Sequence, residues 1–213
     1  MKKRKQNKHL KIFGAEIAYL YLIGIIMAMV GWIAENTVKA INDGVIDSRF
    51  HVLPFISPYA LVPFAMHICF GNADDVAFFG KKIFKNQTLK TKIASNAITF
   101  ATTCSAVFLG ELAVGNLWDA AFGVQLWNYS KLPLQVTQYA GLIPSLGYGA
   151  GAYLFFKFVQ GPLLNLLQRK CPYIVAIIID CTLGVLIVLD TLAMVMQIIL
   201  FNEAPLLWKI YLR

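Results

Sequence analysis

Three carboxylates lie near the ends of long apolar segments of this sequence: Glu35, Glu111 and Asp190. Ionisable side chains at membrane depth are energetically costly and often mark a functional site. Glu111 follows Lys92 by 19 residues and Asp190 follows Lys170 by 20. At about 1.5 Å per helical residue, both carboxylates then lie roughly 30 Å from the same boundary. We expect the three to converge at one end of a helical bundle; the alternative is that each sits among headgroups and water.

Arg49 is the natural partner for such a carboxylate, because a planar guanidinium can bind one through two hydrogen bonds. We expect it within salt-bridge reach of Glu35 or Glu111, in a structural or a ligand-binding role. Lys39 is expected in a wetter part of the same loop. Asp190 shares a helix face with Met194 and Gln197, so its side chain is expected to face protein.

The block Trp127, Asn128, Tyr129 and Ser130 combines aromatic rings with polar tips, which suits a segment at a membrane interface. It forms either a lid over the carboxylates or an interfacial anchor. The predicted binding residues of an outward-facing polar pocket are Glu35, Arg49, Glu111, Trp127, Asn128, Tyr129 and Asp190. We predict no catalytic residues, metal ligands or cofactor, because the four cysteines lack paired spacing and no HExxH or nucleophile-elbow motif is present.

The elements that position these residues follow from composition. Of 213 residues, 58% are apolar and only 14% are charged, whereas soluble domains carry about a quarter charged residues. This excludes a disordered chain, a coiled coil and a disulfide scaffold. The sequence predicts an all-α polytopic transmembrane bundle of five helices. The predicted spans are Ile12–Ala34, Val52–Gly71, Ile93–Val114, Val136–Val159 and Pro172–Phe201.

Positive charge predicts the orientation of the bundle, because cytoplasmic loops collect Lys and Arg. One side of the five-span arrangement carries 14 of the 19 Lys and Arg residues and the other side five. The N-terminus is therefore expected inside and the C-terminus outside the plasma membrane. The predicted domains are a basic cytoplasmic tail (1–11), a single transmembrane domain (12–201) and a short extracytoplasmic tail (202–213). The lipid bilayer explains the net charge of +8, so no nucleic-acid partner is expected.

Two packing features are expected within the spans. Gly147 and Gly151 lie one turn apart and predict a close helix contact. Pro144 is expected to kink its span, and the prolines at 54, 58 and 63 are expected to distort the second.

The same residues resemble a known group of bacterial membrane proteins. The resemblance rests on the following residues: Gly31-Trp32 with Glu35, Arg49 before Pro54 and Pro58-Tyr59, Glu111, and Trp127-Asn128-Tyr129-Ser130 with Pro133. In this order they resemble the CmpB-like ABC-transporter permease family, over roughly residues 31–160. Asn128 stands where the family tends to have Asp, and Phe50 stands where it tends to have Gly. The resemblance implies a multi-pass protein that takes part in transport.

The leading hypothesis is a permease-like, transport-associated subunit. The chain has no GxxxxGK[ST] motif, so ATP hydrolysis would come from a separate ATPase subunit, docked on the basic loop at residues 80–92. Five spans are few for a complete pathway, which favours that partner or a homo-oligomer. The alternative is a membrane-embedded enzyme acting on lipid or cell-envelope precursors. A structural or regulatory membrane protein is the third candidate.

Overall fold

The chain folds into a bundle of long helices, seen in a computed structural model that describes residues 10–212. The helices are α1 (Ile17–Asp43), α2 (Ser57–Phe70), α3 (Leu89–Phe122), α4 (Leu142–Leu154), α5 (Gly161–Lys170) and α6 (Tyr173–Phe201). A π-helical segment, Phe155–Gln160, joins α4 and α5 into one rod. Within residues 10–212, four rods are long and apolar enough to cross a membrane: α1, α3, α4–α5 and α6. The predicted all-α polytopic bundle is confirmed.

Contacts between distant segments define two ends of the bundle. At one end Tyr19 Oη donates to the carbonyl of Cys171 (2.9 Å), and His67 Nε2 lies 3.0 Å from the carbonyl of Ile12. This basic end comprises residues 10–16, 71–88 and 170–172. The tryptophan end comprises residues 44–56, 123–141 and 202–212, where Trp32 and Trp208 pack with ring centroids 6.1 Å apart. The successive helices, α2 included, therefore alternate between the two ends.

Short antiparallel strand pairs close these ends, although the sequence predicted no strands. At the tryptophan end, β3 (Val45–Asp47) pairs with β6 (Lys209–Tyr211). At the basic end, β1 (Lys11–Ile12) pairs with β2 (Ala15–Glu16), and β4 (Ala77–Phe78) pairs with β5 (Lys81–Lys82). The loop after α1 is thus bonded to the C-terminal segment of the described chain.

The second span is shorter than predicted. Helix α2 has 14 residues, or about 21 Å of length, and begins at Ser57 rather than at Val52. Pro54 disfavours helical backbone at the residue before it, whereas Pro58 occupies the first turn, where its missing N–H is tolerated. Residues 52–56 therefore enter the bundle as irregular backbone.

Two helices are longer than predicted. Helix α1 continues nine residues past Ala34, to Asp43, and α3 continues eight past Val114, to Phe122. The segment from Gly115 to Phe122, which was expected to be loop, is helical. Both helices end at a glycine with left-handed backbone, Gly44 (φ 63°) and Gly123 (φ 65°), a backbone geometry that glycine adopts without strain.

The predicted close contact through Gly147 and Gly151 is wrong, because a Cβ added at either glycine would meet nothing within 4 Å. Gly149, between them, provides the contact instead. A Cβ there would lie 2.6 Å from Sγ of Cys104, so α4 packs directly on α3. Pro144 lies in the first turn of α4, where a proline is tolerated without kinking the helix. The irregularity of this rod is the π-helical segment.

Candidate functional site

One face of α1 is shaped to receive a tyrosine from α2. A Cβ added at Gly31 would lie 2.4 Å from ring atoms of Tyr59, so only glycine leaves room for this ring. Glu35 lies one turn further along the same face. The hydroxyl of Tyr59 donates to its Oε1 across 2.8 Å. Gly31 and Glu35 together therefore form the surface of α1 that binds the Tyr59 side chain.

Glu35 accepts two further hydrogen bonds, from other parts of the chain. The hydroxyl of Tyr148 on α4 donates to Oε1 (2.9 Å), and a terminal nitrogen of Arg49 donates to Oε2 (2.9 Å). The exposed fractions are 18% for the Arg49 side chain and 19% for Glu35. Each donor offsets the cost of a partly desolvated carboxylate. The predicted contact of Arg49 with Glu35 is present.

Glu111 on α3 is bound in the same way from the neighbouring elements. Its carboxylate accepts hydrogen bonds from Tyr129 Oη (2.8 Å) and Ser145 Oγ (2.9 Å). Burial, followed by the charge of Glu111, raises the pKa of Tyr129. The phenol therefore stays a donor. Ser145 and Tyr148 both lie on α4 and bond Glu111 and Glu35 respectively, so this helix links the two carboxylates into one polar cluster.

The loop that carries Arg49 is fixed by Asp47, whose side chain is 3% exposed. Its carboxylate accepts the Arg49 backbone N–H (3.0 Å) and pairs with Lys39, and its own N–H donates to Asn36 Oδ1 (2.8 Å). Burial alone would raise the pKa of Asp47, but the bonds from Lys39 and Arg49 outweigh it and lower the pKa. Lys39, on α1, therefore supports the loop, and its side chain is 26% exposed against 18% for Arg49, in agreement with the wetter position expected for it.

Arg49 and Phe50 hold left-handed backbone, with φ of 50° and 70°. A bulky residue there carries a backbone cost that glycine would avoid. The guanidinium carbon of Arg49 lies 5.7 Å from the centroid of the Phe50 ring. The strained turn thus aims Arg49 at Glu35. Arg49 Nε is buried and has no hydrogen-bond partner in the described part of the chain.

Asp190 has hydrogen-bond partners of its own, separate from those of Glu35 and Glu111. Its carboxylate accepts the backbone N–H groups of Val52 (2.9 Å) and Leu53 (3.2 Å) and lies 3.3 Å from His51 Nδ1. Val52 and Leu53 belong to the irregular backbone before α2, and N–H groups of irregular backbone at membrane depth need an acceptor. The carboxylate of Asp190 is that acceptor. Asp190 faces protein, as expected, and it caps the entry to α2.

The Trp127–Ser130 block divides into two parts. Tyr129 reaches Glu111 as described, and Trp127 Nε1 donates to the carbonyl of Tyr139 (2.9 Å). Asn128 is exposed, and its side chain bonds Gln125 and the N–H of Ser130. Asn128 shapes the loop, whereas Tyr129 belongs to the polar cluster.

Three hydroxyl donors of the cluster, Tyr59, Tyr148 and Ser145, were absent from the predicted site. Ser145 and Tyr148 are three residues apart and therefore share a face of α4. Their spacing was the available signal, but the surrounding glycines suggested packing instead. No group of three His, Cys, Asp or Glu side chains within residues 10–212 could hold a metal ion.

A bundle of apolar rods with a carboxylate–tyrosine–arginine cluster among its helices defines a multi-pass membrane protein. The family described as putative ABC-transporter type IV (ABC_trans_CmpB) matches residues 22–195. The chain belongs to this family, and it is a transport-associated membrane protein. Searches of curated proteins and of solved structures found no match.

Proposed function

We propose that the protein is a permease-like subunit whose polar cluster binds a small polar solute from the outer side of the plasma membrane. The observation that carries the proposal is the triple hydrogen bonding of Glu35. It draws α1, α2, α4 and the loop of Arg49 onto one carboxylate. A solute that displaced one of these donors would change how the helices are held together.

Arg49 is the residue of the proposed site that would bind an anionic group of the solute. Its Nε is a buried donor without a partner in the described residues, so a solute acceptor such as a carboxylate or phosphate oxygen would satisfy it. Asp190 and Asn128, which were predicted members, then support the site through backbone and loop contacts. Trp127 and Tyr129 form its rim.

The proposal is tested by solute-induced stabilisation of the purified protein. We expect one member of a panel of amino acids, short carboxylates and inorganic phosphate to raise the melting temperature, and to be taken up by proteoliposomes. Arg49→Gln should abolish both effects, whereas Lys131→Gln, at an exposed position of the same end, should leave them intact. Uptake that survives Arg49→Gln would contradict the proposed site.

The proposed orientation, with the N-terminus inside, is supported by the uneven distribution of Lys and Arg between the two ends. A cysteine-free variant carrying Lys85→Cys or Lys131→Cys tests it with a membrane-impermeant maleimide. Labelling of position 131 from outside, and of position 85 only after permeabilisation, is expected. Labelling of both from one side would contradict it.

A separate ATPase is the proposed energy source, because the sequence lacks a GxxxxGK[ST] motif. The loop at residues 80–92, at the basic end, is the proposed docking surface; a homo-oligomer is the competing assembly. Co-purification with the product of a neighbouring ATPase gene, lost on replacement of the loop lysines, is the expected result.

The alternative, an enzyme acting on lipid or envelope precursors, needs a carboxylate that can act as a base. Glu35 and Glu111 already accept three and two hydrogen bonds, which favours binding over proton abstraction. Lipid profiling of a deletion strain distinguishes the two, because only an enzyme would leave an accumulated precursor.

A further inference from the structure

Two cavities share Tyr173 in their linings, and neither of the described linings includes a residue of the polar cluster. The first, of about 530 Å³, is lined by residues that include Lys11, Glu16, Arg169 and Lys170. Lys11 Nζ lies 3.9 Å from Glu16. With that pair balanced, Arg169 and Lys170 leave the cavity with a net positive charge.

The second cavity, also of about 530 Å³, is an apolar groove between α1 and α6. Its walls include Ile17, Ile177, Val185 and Val188, and it shares Tyr173 with the charged cavity. Among the described residues of its lining, Asp180 is the one acidic side chain, and its Oδ1 is buried. The groove therefore runs from the basic end into the apolar zone of the bundle.

Tyr173, which lines both cavities, is held in place by α1. The ring of Tyr19 packs edge-on against Tyr173, with centroids 6.0 Å apart, and its hydroxyl bonds the carbonyl of Cys171. The turn between α5 and α6 is therefore held to α1. A ligand at this place meets a preformed surface.

We propose that these two cavities together bind one glycerophospholipid with an anionic headgroup. Its phosphate would lie between Arg169 and Lys170, and one acyl chain would follow the groove along Val185 and Val188. Charge complementarity carries the headgroup assignment, because basic pockets between membrane helices recognise anionic lipid. The apolar groove continuing from that pocket distinguishes a lipid from a free phosphate. This site is independent of the proposed solute site and of the orientation of the chain.

Native mass spectrometry of the full-length protein in detergent tests the headgroup. With added palmitoyl-oleoyl phosphatidylglycerol we expect one retained lipid per chain, bound about tenfold or more tightly than the phosphatidylcholine analogue. Arg169→Gln with Lys170→Gln should remove that preference. The control, Lys85→Gln with Lys90→Gln, removes the same charge from exposed positions at the same end and should preserve it. Equal binding of the two lipids, or equal loss in the control, would overturn the proposal.

A second variant tests the acyl chain. Val188→Asn places a polar group on the groove wall and should weaken phosphatidylglycerol binding by about tenfold, while Val114→Asn, at an exposed site on α3, should not. Unaltered circular dichroism melting of each variant shows that the fold is retained. Glycerol 3-phosphate, which has the headgroup chemistry without acyl chains, should not compete. Competition by it, or unchanged binding in Val188→Asn, would show a surface phosphate contact and would overturn the lipid site.

Discussion

The hydroxyl of Tyr148 donates a 2.9 Å hydrogen bond to Oε1 of Glu35, a residue 113 positions earlier in the chain. Helix α1 packs most extensively with α2, and α3 with α4. The bond from Tyr148 therefore joins one helix pair to the other through the carboxylate that also holds Tyr59 and Arg49. A substitution of Glu35 should therefore alter the packing of both helix pairs.

Gly31→Ala should destabilise the protein by about 1–3 kcal/mol, because the added methyl group would overlap the Tyr59 ring. Gly147→Ala is the matched control, because its Cβ meets nothing within 4 Å. It should be neutral or slightly stabilising, since alanine is the better helix former. Unfolding titrations with SDS would measure both; equal stability of the two variants would contradict the role of Gly31.

Arg49→Ala should cost about 2 kcal/mol of unfolding free energy, between the values typical of exposed and of fully buried ion pairs. Both partners are about four-fifths buried, which places the pair between those limits. In an Arg49→Ala, Glu35→Gln double-mutant cycle, the two effects should not add. Lys131→Ala is the control and should change little. Strict additivity would show that the contact contributes nothing.

Phe50→Gly should be more stable than Phe50→Ala by about 1 kcal/mol, because both remove the ring but only glycine relieves the left-handed backbone (φ 70°). Thermal unfolding of the two variants in the same detergent measures the difference. The reverse order would show that backbone strain at this residue is not a significant term.

Asp190→Leu should destabilise the protein by about 3 kcal/mol, because the N–H groups of Val52 and Leu53 would lose their acceptor. Asp190→Asn retains a carbonyl oxygen and should cost less. Hydrogen exchange gives the specific readout, since the amides of these two residues should exchange faster in Asp190→Leu while α3 is unchanged. Uniform acceleration would indicate global loosening instead.

His51 should contribute a loss of stability as the pH decreases from 7.5 to 5.5. Burial lowers the pKa of His51, against the opposing effect of Asp190, so the unfolded chain takes up its proton first, near pH 6.5. His51→Gln should flatten this dependence of the melting temperature. The pKa values of Asp47 and of Asp74, which lies in the segment between α2 and α3, are lowered. Their effect on stability begins below about pH 5, outside this range. An unchanged slope in His51→Gln would contradict this assignment.

The length of the apolar segments and the placement of charged residues were sufficient to predict the bundle and a contact of Arg49 with Glu35 or Glu111, and Glu35 is the partner observed. Apolar length defines the rods, and a lone arginine beside desolvated carboxylates has few other partners. The position of Asp190 was not predictable in this way, because its partners are the main-chain N–H groups of Val52 and Leu53, which no side-chain pattern records. Tyr148 was missed for a related reason: its role depends on which face of α4 meets Glu35, and Gly149 determines that face by its contact with Cys104.

The pairing of β3 with β6 has a consequence for biosynthesis. Val45–Asp47 emerge from the ribosome long before Lys209–Tyr211, and the loop between α1 and α2 must wait for its partner strand until all the helices have been made. Arg49 lies two residues beyond that strand. The β3–β6 pairing is therefore among the last contacts completed during assembly, whereas Asn36 and Lys39 on α1 can hold Asp47, and with it the Arg49 loop, much earlier. A nascent chain that stalls before residue 209 would hold its polar cluster beneath a β3 strand that has no partner.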